Sequence, residues 1–219
     1  MPDKKYELTD ETTEIDGHTL HRIKALRDFG KVKKGDLGGF IEKEENLSHE
    51  GECWVYNDAK VYEEAQVTDD AIVYVNARVY GNAEVCNDAQ VSGVSEVYGN
   101  ARVFNEAWVS DVAKVYGNAR LYDNTWVSGN AKIYGNAKVY GDAWVYGDAG
   151  ITDNAKVYGD ACVGAKAQVY GNAEVYERAV VCGCASVYGD AKVRGRAVVE
   201  GDSEISKGTV SNEYTIGLD

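Results

Sequence analysis

Residues 127–162 read VSGNAK IYGNAK VYGDAW VYGDAG ITDNAK VYGDAC, six hexads built on one pattern. The pattern runs without insertion or deletion from Val55 to Val210, which makes 26 hexads. The first position is aliphatic, the second is usually Tyr and the fifth is nearly always Ala. Gly-Asn or Gly-Asp typically occupies the third and fourth positions. An internal repeat of this regularity predicts a solenoid, in which each unit buries its apolar side against its neighbours.

Each hexad is expected to contain one short strand and one corner. Alternation along the strand sends Ala and the aliphatic residue inward, and sends the sixth and second residues outward. The Gly-Asn and Gly-Asp pairs provide the backbone freedom that a tight corner needs. A helical interpretation fails because the apolar period is two within each strand and six overall, rather than 3.6. The sequence therefore predicts an all-β fold with small and branched side chains inside.

The motif V-Y-G-N-A-R at 97–102 resembles the hexapeptide-repeat family, although Tyr at the second position departs from the family pattern. The resemblance implies a left-handed parallel β-helix in which three hexads form one triangular coil of 18 residues. On this basis we assign residues 47–210 to a solenoid of about nine coils.

The two ends of the chain depart from the repeat. Residues 1–46 contain a predicted hairpin around Asp16-Gly17 and are interpreted as a β-rich N-terminal cap, and residues 211–219 as a C-terminal cap or tail. The segment from HRIKALRDFG to KGDLGGFIEKEENLSHEG most resembles bacterial and prophage members of the family that are labelled acyl- or acetyltransferases. That resemblance implies a phage or prophage origin, and acyl transfer from acetyl-CoA as an alternative function.

All four tryptophans fall in one of the 18 columns of the predicted coil. Small residues, including Ser92, Ser110 and Ser128, lie two positions further on, so the indole rings should stand above a flat floor. Ring stacking within one chain is one explanation, but it leaves an apolar stripe larger than monomers usually expose. We therefore expect a homo-oligomer, a dimer in preference to a trimer, with a host protein as the alternative partner. The predicted interface comprises Trp54, Ile72, Trp108, Trp126, Trp144, Cys162, Val180 and Val198.

The other two faces carry columns of tyrosine. On one face, stacked Tyr and Asn ladders explain the pattern structurally, and a face that stacks sugars or bases is the alternative. On the other, four basic residues stack at strand spacing, and we expect an acidic corner from Asp70 to Asp160 to pair with them. The alternative is an anion site. This possible ligand face comprises Arg102, Arg120, Lys138, Lys156, Tyr122, Tyr140 and Tyr158.

Histidine placement favours a non-catalytic protein. Acyltransferases of this family use a histidine in the helix, or in a loop extruded from it, as general base. Here His18, His21 and His49 all precede the repeats. Under the enzyme alternative, His49 or His21 would act with an acidic residue in a cleft between cap and first coil. No metal site is expected, and no cofactor apart from acetyl-CoA under that alternative.

A net charge of −13 argues against direct binding of nucleic acid or of anionic membranes. No apolar run has the length of a membrane span, and the N-terminus shows no signal-peptide core, so we expect a cytoplasmic protein. The five cysteines form no CxxC pair and are expected to be reduced. A second alternative follows from the charge: an acidic rod that inhibits a DNA-binding or host-defence protein.

Overall fold

The computed structural model describes residues 4–211 and the short strand Thr215–Ile216. This part of the chain is an all-β parallel solenoid of about ten turns, which confirms the predicted fold class. Its one helix is the 3-10 turn Glu44–Asn46, and no helix in the described part is long and apolar enough to cross a membrane. The left-handed sense of the coil stays a prediction.

The solenoid has three parallel faces, each built from strands that recur every 18 residues. The Trp face consists of Trp54–Val55, Ile72–Val73, Gln90–Val91, Trp108–Val109, Trp126–Val127, Trp144–Val145, Cys162–Val163, Val180–Val181, Val198–Val199 and Thr215–Ile216. The Tyr–Asn face consists of Lys60–Val61, Arg78–Val79, Glu96–Val97, Lys114–Val115, Lys132–Ile133, Gly150–Ile151, Gln168–Val169, Ser186–Val187 and Glu204–Ile205. The basic face consists of Gln66–Val67, Glu84–Val85, Arg102–Val103, Arg120–Leu121, Lys138–Val139, Lys156–Val157, Glu174–Val175, Lys192–Arg194 and Thr209–Ser211.

The core is a column of aliphatic and alanine side chains inside the triangle. Val109, for example, pairs in register with Val127 of the next coil, and both are fully buried. The intervening Ala113 is buried as well, because the fifth position of each hexad also points inward. Burying only one small and one branched residue per strand keeps the interior narrow, which lets three flat faces close around it.

The corners place one residue of each hexad at positive φ. Gly117 has a φ of +71°, and a Cβ there would lie 3.0 Å from the backbone nitrogen of Gly135 in the next coil. Asn105 and Asp123 adopt similar φ angles of 58° and 60°. Glycine, Asn and Asp tolerate this conformation best, which explains their recurrence at the third position.

The N-terminal segment extends the sheet of the Tyr–Asn face. Strand β1 (Tyr6–Ile15) pairs antiparallel with β2 (His18–Ala25), and the hairpin turns at Asp16-Gly17. Strand β2 pairs antiparallel with β3 (Leu37–Ile41), which in turn pairs parallel with Lys60–Val61. The hydrogen-bonding edge of the first coil on this face is therefore covered by the chain itself.

Candidate interaction surfaces

Three tryptophans on the Trp face form one continuous ring stack. The Trp108 and Trp126 rings lie 5.2 Å apart and the Trp126 and Trp144 rings 5.3 Å apart, with interplanar angles of 6° and 10°. The indole Nε1 of Trp108 donates to Ser92 Oγ at 3.1 Å, and that of Trp126 donates to Ser110 Oγ at 3.1 Å. These bonds satisfy the polar edge of each donor ring, so the stack presents its apolar edges outward.

Exposed apolar side chains concentrate on this face. Among the described residues seven large hydrophobic side chains are exposed, and all but Leu37 belong to the Trp face or the corner that follows it. The sequence analysis missed the corner members, although aliphatic residues at positions usually held by Gly, Asn or Asp were the available signal. The six are Val75, Val94, Trp108, Val112, Trp126 and Trp144.

The structure corrects the prediction that Trp54 contributes to the exposed stripe. Trp54 is only 1% exposed, and its ring makes edge contacts with Tyr6 at 6.1 Å and Phe29 at 5.3 Å. The N-terminal segment packs over the first coil at this point, so Trp54 belongs to the core. The outer members of the predicted stripe, Ile72, Cys162, Val180 and Val198, are half-buried in their column.

On the basic face, the pairing expected with the acidic corner is replaced by pairing within the column. Arg102 bonds Glu84 at 2.7 Å and Lys156 bonds Glu174 at 2.9 Å, each partner lying one coil away in the same register. The hydrogen bond from Lys156 and its charge hold the pKa of Glu174 below its usual range.

The corner carboxylates of the acidic corner have other partners. Asp123 accepts from the side chain of Asn105 at 3.0 Å and from the backbone N–H of Gly141 at 3.2 Å. Arg120 and Lys138 consequently have no ion-pair partner among the described residues. They lie beside the stacked rings of Tyr122 and Tyr140, whose centroids are 4.9 Å apart. An anion site at these two cations stays a prediction.

The Tyr–Asn face combines a tyrosine stack with an asparagine ladder. Neighbouring rings from Tyr62 to Tyr134 lie 4.9 to 5.0 Å apart, and Tyr170 and Tyr188 lie 4.9 Å apart. Side-chain amides from Asn82 to Asn172 bond to one another along the rod at 3.1 to 3.2 Å. The ring and amide contacts account for most of this face, but the tyrosine stack is interrupted at Thr152.

The structure ties the histidines into the N-terminal segment separately. The Nδ1 of His49 accepts from the backbone N–H of Lys5 at 3.2 Å, and its ring stacks on Tyr6 at 4.3 Å. The Nε2 of His49 is buried, and the nearest carboxylate oxygen, on Glu44, lies 3.7 Å away. His21 contacts the carbonyl of Thr9 at 3.1 Å. Neither imidazole is presented to an open groove in the way that a general base needs.

A buried lysine–cysteine contact lies beside His49, and the sequence analysis missed it. The Nζ of Lys5 donates to the carbonyl of Cys53 at 2.9 Å and lies 3.2 Å from its sulfur. Burial lowers the pKa of Lys5 and raises the pKa of the Cys53 thiol. This contact fixes the start of the chain to the first coil. All five cysteines are free thiols, and in residues 4–211 no three His, Cys, Asp or Glu side chains are arranged to hold a metal ion.

Comparison with known families agrees with the fold. Three segments of the solenoid, residues 97–111, 131–147 and 167–183, match the family model described as YdcK beta solenoid repeat. Together they cover less than a quarter of the chain, and they include the strands that carry Trp108 and Trp144. No curated protein matches the chain. The chain is thus similar to a β-solenoid repeat family, and the printed description concerns the repeat alone.

Proposed function

We propose that this protein is a rigid, non-catalytic scaffold that self-associates as a homodimer through the Trp face. The observation that carries the proposal is the concentration of six of the seven exposed large hydrophobic side chains on that face and its corner. Stiffness supports the same role, because each coil is hydrogen-bonded to the next along all three faces. A stiff rod with one apolar side is suited to hold partners at a defined spacing.

The apolar area is sufficient for a dimer. Trp108, Trp126 and Trp144 are 36%, 39% and 42% exposed, so each could bury roughly 100 Å² more in a complex. The three exposed valines add a comparable total, which brings each copy to about 500 Å² of apolar side chain. Two copies then approach the roughly 1,000 Å² that a specific interface needs.

The shape of the face supports parallel rods. The tryptophan column is a ridge, and the column of Ser92, Ser110 and Ser128 beside it is nearly buried and forms a groove. A two-fold axis along the rod places the ridge of each copy over the groove of the other. An axis perpendicular to the rod would set ridge against ridge. Because the same patch serves both copies of an isologous dimer, the parallel arrangement is the complementary one.

The test is the mass of a variant with Trp108, Trp126 and Trp144 replaced by Ser, measured by light scattering. We expect about twice 23.9 kDa for the natural chain and a folded species of 23.9 kDa for the variant. The matched control replaces Tyr122, Tyr140 and Tyr158, an equal number of stacked rings on the basic face, and should remain dimeric. A monomeric natural chain, or a variant of unchanged mass, would overturn the proposal.

The remaining functional expectations rest on the sequence. They are a host protein partner, inhibition of a DNA-binding or host-defence protein by an acidic rod, phage origin and a cytoplasmic location. Acyl transfer from acetyl-CoA has no catalytic arrangement to support it in the geometry of His49 and His21. We therefore rank the scaffold above these alternatives.

A further inference from the structure

One coil of the Tyr–Asn face departs from the repeat at both of its outward positions. The tyrosine column stops at Tyr134, has Thr152 in the next coil, and resumes at Tyr170. Each neighbouring pair of rings in an aromatic stack contributes about 0.5–1.5 kcal/mol. The chain forgoes two such contacts at this coil, and the rings on either side are separated by twice the 4.9 Å spacing of the column.

The second departure is Gly150, two residues before Thr152 in the same strand. Its φ is not positive, and an added Cβ would meet only the flexible end of the Gln168 side chain. Gly164 on the Trp face differs, because there a Cβ would enter the ring of Tyr146. The chain's own packing therefore does not require glycine at position 150. A glycine inside a strand often marks a place where a ligand approaches closely.

The two small residues leave a notch in the face. A cavity of about 290 Å³ lies over Gly150, lined by Tyr134 on one side and Gln168 on the other. The tyrosines of this face lean over the strand of the following coil, as the bond from Tyr80 to Glu96 shows. A tyrosine at position 152 would lean in the same direction, so the missing ring and the cavity occupy neighbouring space.

The edge of the notch carries opposite charges. Lys132 lines it and is exposed, with no ion-pair partner in the part of the chain that the structure describes. Asp148 lines it as well, with one carboxylate oxygen accepting from Asn130 at 2.9 Å. The notch therefore offers a ring-sized opening beside Tyr134, one cation and one anion. Its volume is at the lower end for small-molecule sites, which restricts the ligand to the size of an amino acid.

We infer that this notch binds a free aromatic amino acid. The ring lies in the place of the missing tyrosine, beside Tyr134, with the next ring of the column at Tyr170. The α-carboxylate pairs with Lys132 and the α-ammonium with Asp148. Charge-assisted hydrogen bonds to both ends of the zwitterion provide specificity, and ring stacking provides the apolar contact. The site lies on a different face from the tryptophans, so it is independent of the proposed dimer.

The binding experiment uses calorimetry of the full chain with L-phenylalanine. Phenylacetate lacks the ammonium group, phenethylamine lacks the carboxylate and L-leucine lacks the ring. Binding of L-phenylalanine at least about tenfold tighter than each of the three supports the inference, since one lost charge-assisted bond costs about that factor. Equal binding of phenylacetate or L-leucine, or no binding of L-phenylalanine at millimolar concentration, overturns it.

Variants of the notch provide the second test. Thr152→Tyr fills the opening and completes the column, so the fold should be retained with an equal or higher melting temperature, and affinity should fall at least about tenfold. Thr152→Val keeps a side chain of similar size and should bind as the natural chain does. Lys132→Gln removes the exposed cation and should weaken binding about tenfold. Unchanged affinity in a folded Thr152→Tyr variant contradicts the proposed site.

Discussion

Replacing Trp54 by alanine and replacing Trp108 by alanine remove the same side chain from the same column, with different expected consequences. Trp54 is 1% exposed and lies between Tyr6 and Phe29 of the N-terminal segment. Trp108 is 36% exposed, stacks on Trp126 and donates one hydrogen bond to Ser92. The first substitution should therefore act on the fold, and the second mainly on the surface.

The magnitudes follow from these contacts. Truncating a fully buried tryptophan leaves a cavity and costs about 3–5 kcal/mol in the free energy of unfolding. Truncating Trp108 removes one ring pair of about 0.5–1.5 kcal/mol and one hydrogen bond of similar size, roughly 1–3 kcal/mol together. We expect Trp54→Ala to be the more destabilising by about 2 kcal/mol.

Urea unfolding followed by circular dichroism would measure the difference, with light scattering to confirm that both samples have the same mass. Because solenoids can unfold in sections, amide hydrogen exchange in β1 and β2 provides a local readout. Exchange there should accelerate strongly in Trp54→Ala and little in Trp108→Ala. Equal urea midpoints together with equal protection of β1 and β2 would refute the assignment of Trp54 to the core.

Two further predictions concern the cap and the corners. The hydrogen bond from Glu42 raises the pKa of His18, so this contact stabilises fully below about pH 6.5 and is lost as the pH rises through the higher pKa of the folded state. Amide exchange in β2 should accelerate over that rise, and His18→Gln should remove the pH dependence; a dependence that persists in the variant would exclude His18 as its source. Gly117→Ala should lower the free energy of unfolding by more than about 1 kcal/mol, because φ is +71° and the new Cβ meets the backbone of Gly135. Gly150→Ala, which lacks both problems, should change it by less than about 0.5 kcal/mol in thermal unfolding, and equal effects of the two would contradict the strain argument.

Much of the architecture was accessible from the sequence because the repeat is local and regular. A six-residue period with an aliphatic residue and alanine inward determines the strand, the corner and the core of every coil. The 18-residue column then predicts which outward side chains are neighbours, and the stacking of Trp108 on Trp126 confirms that inference. Columns also expose exceptions, and Gly150 and Thr152 are visible as such in the sequence before any contact is known.

What the columns could not predict depends on segments outside the repeat and on side-chain direction. Trp54 shares its register with Trp108, yet only the folded chain shows that Tyr6 and Phe29 cover it. The cations of the basic face pair with Glu84 and Glu174 along the column because corner carboxylates such as Asp123 are engaged by backbone and amide donors. The sequence by itself determined the register of each residue. Only the tertiary structure decided which registers are covered and which stay open, because burial depends on contacts between residues far apart in the chain.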